Sequence, residues 1–135
     1  MSVVKSKRGV GKMLVVTRSN ELAVYTIRIC SNEKSFPKRY RWCITNKLVE
    51  AALSINNCIV AANSVYVADG DDYAYNLRRQ YQTKALAETY ALLSMIDIAY
   101  RTFGIESDRV EFWTRLVHEV QALLRNWRKS DNNRK

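Results

Sequence analysis

Glycine and proline are scarce in this chain of 135 residues, which has four glycines and a single proline, Pro37. Proteins built from many short strands need these residues at their tight turns, so an all-β sandwich is not expected. Apolar residues make up 47% of the chain, which is too many for an intrinsically disordered protein. The length suits one domain with its own core. We therefore expect a helical domain with few connections.

Metal ligands and catalytic motifs are also scarce. The chain has one histidine, His118, and three cysteines without a Cys-x-x-Cys spacing, whereas zinc and di-iron sites need clusters of ligands. Neither a phosphate-binding Gly-x-x-x-x-Gly-Lys loop nor a Gly-x-Ser-x-Gly nucleophile turn occurs. An odd cysteine count favours a reducing compartment, and the apolar run at residues 13–16 is too short to cross a membrane. We predict a cytoplasmic protein without a catalytic site, metal, cofactor or membrane partner.

Apolar periodicity predicts four long helices joined by short connections. Their expected bounds are Met13 or Thr17 to Ser31, Lys38 to Val67, Tyr73 to Phe103, and Arg109 to Lys129. Gly104 follows the third helix where a left-handed cap is usual. We predict a flexible basic arm over residues 1–12, an antiparallel up-down four-helix bundle over 13–129, and a basic tail over 130–135.

The second and third helices each carry a second apolar stripe, opposite the face expected to enter the core. Its members are Val49, Leu53 and Val60 on the second helix, and Leu86, Tyr90, Leu93, Asp97 and Tyr100 on the third. A helix of an isolated bundle needs only one apolar face. We therefore predict that these residues form an interface between subunits of a homo-oligomer; an unusually broad core is the alternative.

Positive charge is concentrated in separate segments of a chain with a net charge of +9. Residues 1–20 hold five basic residues and no acid, residues 38–47 hold four, and residues 125–135 hold five beside Asp131. Such clusters favour a polyanionic partner, although a solvated surface is the alternative. The predicted nucleic-acid or polymerase contacts are Lys5, Lys7, Arg8, Lys12, Arg18, Lys38, Arg39, Arg41, Arg78, Arg79, Arg125, Arg128 and Lys129.

Aromatic residues lie among these basic residues and offer faces on which unpaired bases can stack. Tyr40, Trp42 and Trp127 are the candidates. Tyr40 also suits packing at the start of the second helix, and for Trp127 we prefer a place in the core seam of the fourth helix. Glu88 interrupts the core stripe of the third helix, so we expect it to pair with a facing residue, with a role in subunit register as the alternative.

One enzymatic alternative, a ribonuclease, depends on residues of the fourth helix. Helical-bundle ribonucleases of the HEPN type carry an arginine followed four to six residues later by a histidine, whereas Arg115 and His118 are only three apart. The pattern is not matched. We therefore interpret His118 as a surface residue and predict that the chain is not an enzyme.

A family resemblance begins at residues 35–40, SFPKRY, which lead into the Ala- and Ile-rich stretch of residues 44–59. This combination resembles the small four-helix-bundle proteins related to the 23S rRNA intervening-sequence protein. The basic stretch at 124–128, and Asn56 where such proteins often carry proline, favour the branch of accessory variability determinants of diversity-generating retroelements. The resemblance covers residues 13–129.

The resemblance implies a non-catalytic protein that assembles as a basic pentameric ring. Proteins of that branch bind the element's reverse transcriptase and nucleic acid, and support copying of a template RNA into mutagenised cDNA during retrohoming. A stand-alone RNA-binding bundle of the intervening-sequence type is the alternative.

Overall fold

A computed structural model describes the backbone of residues 3–134 and the side chains of residues 13–132. This part of the chain forms four long α-helices and contains no strand. Helix α1 spans Val3–Cys30, α2 Asn46–Ser64, α3 Asp72–Phe103 and α4 Ser107–Arg134. The prediction of an all-α fold with four helices is confirmed. No helix in the described part is both long and apolar enough to cross a membrane.

Helices α1 and α4 extend beyond their predicted bounds. Helix α1 begins at Val3, so the backbone of residues 3–12, predicted as a basic arm, continues the helix. Two glycines lie in this segment, but each costs a helix only about 1 kcal/mol relative to alanine. Adding turns to an existing helix also avoids a new nucleation step. Helix α4 likewise continues to Arg134, through most of the predicted tail.

Helix α2 is shorter than predicted at both ends. It is preceded by a 3-10 turn, Lys38–Tyr40, and a π-helical turn, Arg41–Thr45. It ends at Ser64, because Val65 leaves the helix with an extended backbone. Tyr66, which the periodicity assigns to the core, therefore lies past the helix and is 83% exposed.

The caps of α3 follow from two residues. The Asp71 carboxylate accepts a hydrogen bond of 3.0 Å from the Ala74 amide, which satisfies one of the free donors at the start of the helix. Gly104 ends the helix with a φ of 64°, in the left-handed region that side chains with a Cβ avoid. The predicted glycine cap is confirmed.

Consecutive helices run antiparallel, and each packs against two neighbours. Helices α1 and α3 both contact α2 and α4. Near the end of α1, the Tyr25 hydroxyl donates to the Arg109 carbonyl at the start of α4, at 3.2 Å. Near the start of α3, Arg78 reaches Asp131 in the last turns of α4. This is the up-down order that short connections predict.

The core is a single apolar cluster drawn from all four helices. Its largest fully buried apolar side chains are Trp113, Leu22, Leu48, Ile55, Ile59, Leu92, Ile96 and Leu124. The Trp113 indole nitrogen donates to the Thr26 hydroxyl at 2.9 Å, which in turn donates to the Leu22 carbonyl at 2.8 Å. The buried indole therefore keeps a hydrogen-bond partner, as a buried donor requires.

Candidate nucleic-acid interface

One end of the bundle carries the chain reversal between α1 and α2, which we call the corner (residues 36–47). Phe36 is buried and its ring lies 5.6 Å from that of Phe103 and 6.2 Å from that of Trp113. The Tyr40 ring lies 5.3 Å from Phe103. Tyr40 thus packs near the start of the second helix, which was the alternative to a role in base stacking. These aromatic contacts fix the corner against the end of α3.

The basic side chains of the corner project into solvent. Lys38, Arg39, Arg41 and Lys47 are all exposed, and the Arg39 guanidinium lies 5.0 Å from the centre of the Tyr40 ring. Of these four residues only Lys38 forms an ion pair with a described side chain, that of Glu33 at 3.8 Å. The charges of the other three are therefore available to a ligand.

Arg78 must be withdrawn from the predicted contacts, because the structure buries it. The residue is 3% exposed and its guanidinium donates to the Asp131 carboxylate at 3.0 Å and to the Val65 carbonyl at 2.7 Å. Gln82 donates to the same carboxylate at 3.0 Å, and the Trp127 ring lies 6.0 Å from the guanidinium carbon. Trp127 is itself buried, which confirms its preferred interpretation as a core residue.

This buried cluster lies at the opposite end of the bundle, which we call the ion-pair end (Val65, Arg78, Gln82, Asp131). The sequence patterns did not predict it. An arginine within a helix gives no sign of burial when its partner lies 53 residues away. The one available signal was Asp131, the single acid among the five basic residues at 125–135.

Arg79, Arg125 and Arg128 line the groove between α3 and α4, and all their partners are uncharged. Arg79 donates to Asn132 Oδ1 at 2.9 Å and Arg128 donates to the Thr83 hydroxyl at 3.2 Å. Arg125 donates to the Tyr90 hydroxyl and lies 5.6 Å from the centre of its ring. No carboxylate among the described side chains pairs with these three arginines.

Burial and a like-charged neighbour both disfavour the charged form of Arg128 in this groove. Burial lowers the pKa of the Arg128 guanidinium, and the positive charge of Arg79 lowers it further, while Tyr75 raises it. Two like charges that lack a counterion raise the local potential. A bound anion would relieve this repulsion.

The two basic clusters do not form one surface. Tyr40 of the corner contacts Phe103. Arg125 is held at Tyr90, 13 residues before Phe103 on the same helix, and Arg79 lies 24 residues before it. At the helical rise, these separations amount to about 20 Å and about 36 Å along the bundle axis. A single short ligand therefore meets one cluster, whereas a long strand can reach both.

The other predicted contacts differ among themselves. Arg18 is neutralised, because it pairs with Glu21 at 3.0 Å and with Glu119 at 3.5 Å. Lys129 is exposed. Lys5, Lys7, Arg8 and Lys12 precede residue 13, at which the described side chains begin.

The second apolar stripe divides into covered and uncovered residues. Val49, Leu86 and Leu93 are half-buried and pack against the core, as the alternative of a broad core requires. Leu53, Val60, Tyr90 and Tyr100 are exposed. Tyr100 shares a hydrogen bond of 2.9 Å with the Ser107 hydroxyl, and Asp97 is paired with Arg101 at 3.1 Å. Tyr90 is likewise engaged, by Arg125. The oligomer interface stays a prediction, and Leu53 and Val60 now represent it best.

Glu88 lacks the partner that was expected of it. The residue is half-buried rather than central in the core, and its Oε2 atom is buried without a hydrogen-bond partner among the described residues. The prediction of a pairing is wrong. Its place at the edge of the core lets water reach part of the side chain, which lowers the cost of leaving it unpaired.

His118 belongs to a chain of structural hydrogen bonds. Its Nδ1 lies 3.1 Å from Gln121 Oε1, and the Gln121 amide donates to the buried Thr89 hydroxyl at 3.0 Å. The ring is exposed, in agreement with its interpretation as a surface residue. In the described part of the chain, no group of three or more His, Cys, Asp or Glu side chains is placed to hold a metal ion.

A cavity of about 440 Å³ opens at the ion-pair end, beside the loop between α2 and α3. Residues 67–72, Tyr75, Arg78 and Asp131 line it. Asp69 and Asp71 lie in the loop and Asp72 begins α3, and the one arginine of the lining is already paired with Asp131. The charge of this lining does not favour a polyanion.

Comparisons of the chain with protein-family models, with curated protein sequences and with solved structures gave no match. The resemblance noted at residues 35–59 therefore stays a prediction.

Proposed function

We propose that this protein is a non-catalytic nucleic-acid-binding bundle that assists the reverse transcriptase of a diversity-generating retroelement. One observation carries the nucleic-acid part of the proposal: Arg39, Arg41 and Lys47, together with the arginines of the α3/α4 groove, have no carboxylate partner among the side chains of residues 13–132. A phosphate backbone supplies the missing negative charge and releases its own counterions on binding. The retroelement part depends on the resemblance of residues 35–59.

In this proposal the bundle contacts the backbone and shape of the nucleic acid rather than its sequence. Arginine and lysine contacts to phosphates position a strand but do not read bases. The polymerase supplies the chemistry, and the bundle holds template RNA or cDNA near it.

Self-association is part of the same proposal. Leu53 and Val60 leave apolar surface of α2 in water, and burying it between subunits is favourable. A pentameric ring repeats each basic cluster five times, so one strand meets several clusters and gains effective concentration. Light scattering in high salt should give a mass near five times 15.7 kDa; a monomer would contradict the ring.

The binding part is tested by fluorescence anisotropy of a labelled RNA at several salt concentrations. We expect the logarithm of the association constant to fall linearly with the logarithm of the salt concentration, by about 0.7 per phosphate contacted on a single strand. Absence of binding at low salt would overturn the proposal.

The polymerase part is tested by co-purification with the reverse transcriptase of a diversity-generating retroelement. Co-purification that survives nuclease treatment supports the accessory role. Retained RNA binding without co-purification overturns that role and favours the stand-alone RNA-binding bundle, which the same unpaired arginines also support.

A further inference from the structure

Neither packing in the core nor capping of a helix explains why a tryptophan occupies position 42. The residue is 81% exposed, whereas Trp113 and Trp127 are buried. Keeping so large an apolar ring in water forgoes the free energy that its burial would give. Exposed tryptophans of this kind are typical of sites where an aromatic face meets a ligand.

We propose that Trp42 is a platform on which an unpaired base stacks, so that the corner prefers single-stranded to double-stranded nucleic acid. The inference rests on the proposed function and deepens it by naming the form of the ligand. Bases in a duplex stack on one another and show their faces only at its ends, whereas the bases of a single strand can leave the stack.

The backbone under Trp42 is anchored on both sides. Tyr40 packs against Phe103, and Thr45 and Leu48 are buried. The π-helical turn Arg41–Thr45 lies between these anchors and leaves Trp42 on the solvent side. Stacking on a side chain whose backbone is already ordered costs little conformational entropy.

The charges around Trp42 fit a strand of phosphates. Residues 38–47 carry four basic residues and no acid, and Arg39, Arg41 and Lys47 have no ion-pair partner among the described side chains. Aromatic faces between basic side chains are the usual composition of single-strand sites. A second copy of this chain, placed corner to corner, would bring like charges together and be repelled.

Tryptophan fluorescence of the full chain tests the proposal, because Trp42 is the one exposed tryptophan in the described part. The probes are an oligouridine and a blunt-ended RNA duplex with the same number of phosphates. We expect the oligouridine to quench the emission of Trp42 and the duplex to leave it unchanged. Trp42→Ala should weaken oligouridine binding about 5- to 150-fold while duplex binding and the slope of affinity against salt stay the same.

Two matched variants separate stacking from charge. Trp42→Phe keeps an aromatic face and should retain most of the affinity for oligouridine. Arg41→Gln keeps the Trp42 ring but removes one positive charge. It should therefore reduce the slope of affinity against salt by about 0.7. Circular dichroism should show the wild-type helix content in all three variants, because both residues are exposed.

The outcomes separate this inference from the proposed function. Salt-dependent RNA binding that Trp42→Ala leaves unchanged overturns the stacking platform and leaves the proposed function standing. Equal weakening of oligouridine and duplex binding overturns the preference for single strands. A smaller oligomer mass for Trp42→Ala than for the wild type would show that the indole of Trp42 contacts another subunit, and would overturn the stacking platform. Absence of binding to either RNA by the wild type overturns the proposed function itself.

Discussion

The two ends of the bundle use arginine in opposite ways. At the ion-pair end, Arg78 is buried and its charge is matched by Asp131 at 3.0 Å. At the corner, Arg39 and Arg41 are exposed and have no carboxylate partner in the part of the chain whose side chains are described. A count of basic residues along the sequence treats these arginines alike. The difference shows that charge available to a ligand is what remains after internal pairing.

The ion-pair end uses its charge to join three helices. Arg78 on α3 binds Asp131 on α4 and the Val65 carbonyl just after α2, and Gln82 donates to the same carboxylate. A buried pair with such additional hydrogen bonds is strongly destabilised when one partner is removed, because the other charge stays buried. The corner has no equivalent arrangement, so its arginines should be dispensable for folding.

Replacing the buried Arg78 should give the largest change in the free energy of unfolding. Arg78→Ala leaves Asp131 buried without its guanidinium partner and should lower the free energy of unfolding by about 3–5 kcal/mol. Arg41→Ala, at the corner, should change it by less than about 0.5 kcal/mol. Urea unfolding followed by circular dichroism measures both. Equal stability of the two variants would remove the distinction between the two ends.

The cap of α3 lies at the ion-pair end and offers a smaller test. Asp71→Ala removes the acceptor of the Ala74 amide and should cost about 1 kcal/mol of stability. Asp69→Ala changes an exposed acid of the same loop and serves as the matched control. The same unfolding measurement applies, and a loss in the control as large as in Asp71→Ala would contradict the cap.

The cysteines provide a test without any substitution. Cys43 at the corner is exposed, whereas Cys30 and Cys58 are buried. Burial raises the pKa of the Cys30 thiol to about 12, and the thiolate is the reactive form. A thiol reagent should therefore modify one cysteine per native chain and three in urea. Rapid modification of two or more native thiols would show that the core around Cys30 opens.

The raised pKa of Cys30 also predicts the direction of a pH effect. In the unfolded chain this thiol ionises near its ordinary pKa of 9.0, but in the folded chain it keeps its proton until about 12. The unfolded state therefore releases the proton first, and stability should fall as pH rises between these values. Cys30→Ala should make the fall shallower in urea titrations over that range.

The helices and most of the core were predictable because their signal is local. Leu48, Ala52, Ile55, Ile59 and Ala62 repeat at helical spacing, and all five are buried. The failures concern long-range or terminal features. Periodicity does not show where Val65 turns α2 into an extended chain.

The candidate site was predictable only as a set of segments. The sequence shows that residues 38–47 are basic and contain Trp42, but it does not show that this ring is exposed while Trp127 is buried. It also gives no reason to separate Arg78 from Arg79, although only one of these neighbours is buried. Such distinctions depend on which residues of distant helices face each other, as Arg78 faces Asp131.

The central claim is that unpaired basic residues of the corner hold a nucleic-acid backbone. The most direct test is the salt dependence of oligouridine affinity for the wild type and for the double variant Arg39→Gln, Arg41→Gln. We expect weaker binding and a salt slope reduced by about 1.4, since each lost phosphate contact removes about 0.7. An unchanged slope and affinity in a folded double variant would contradict the claim.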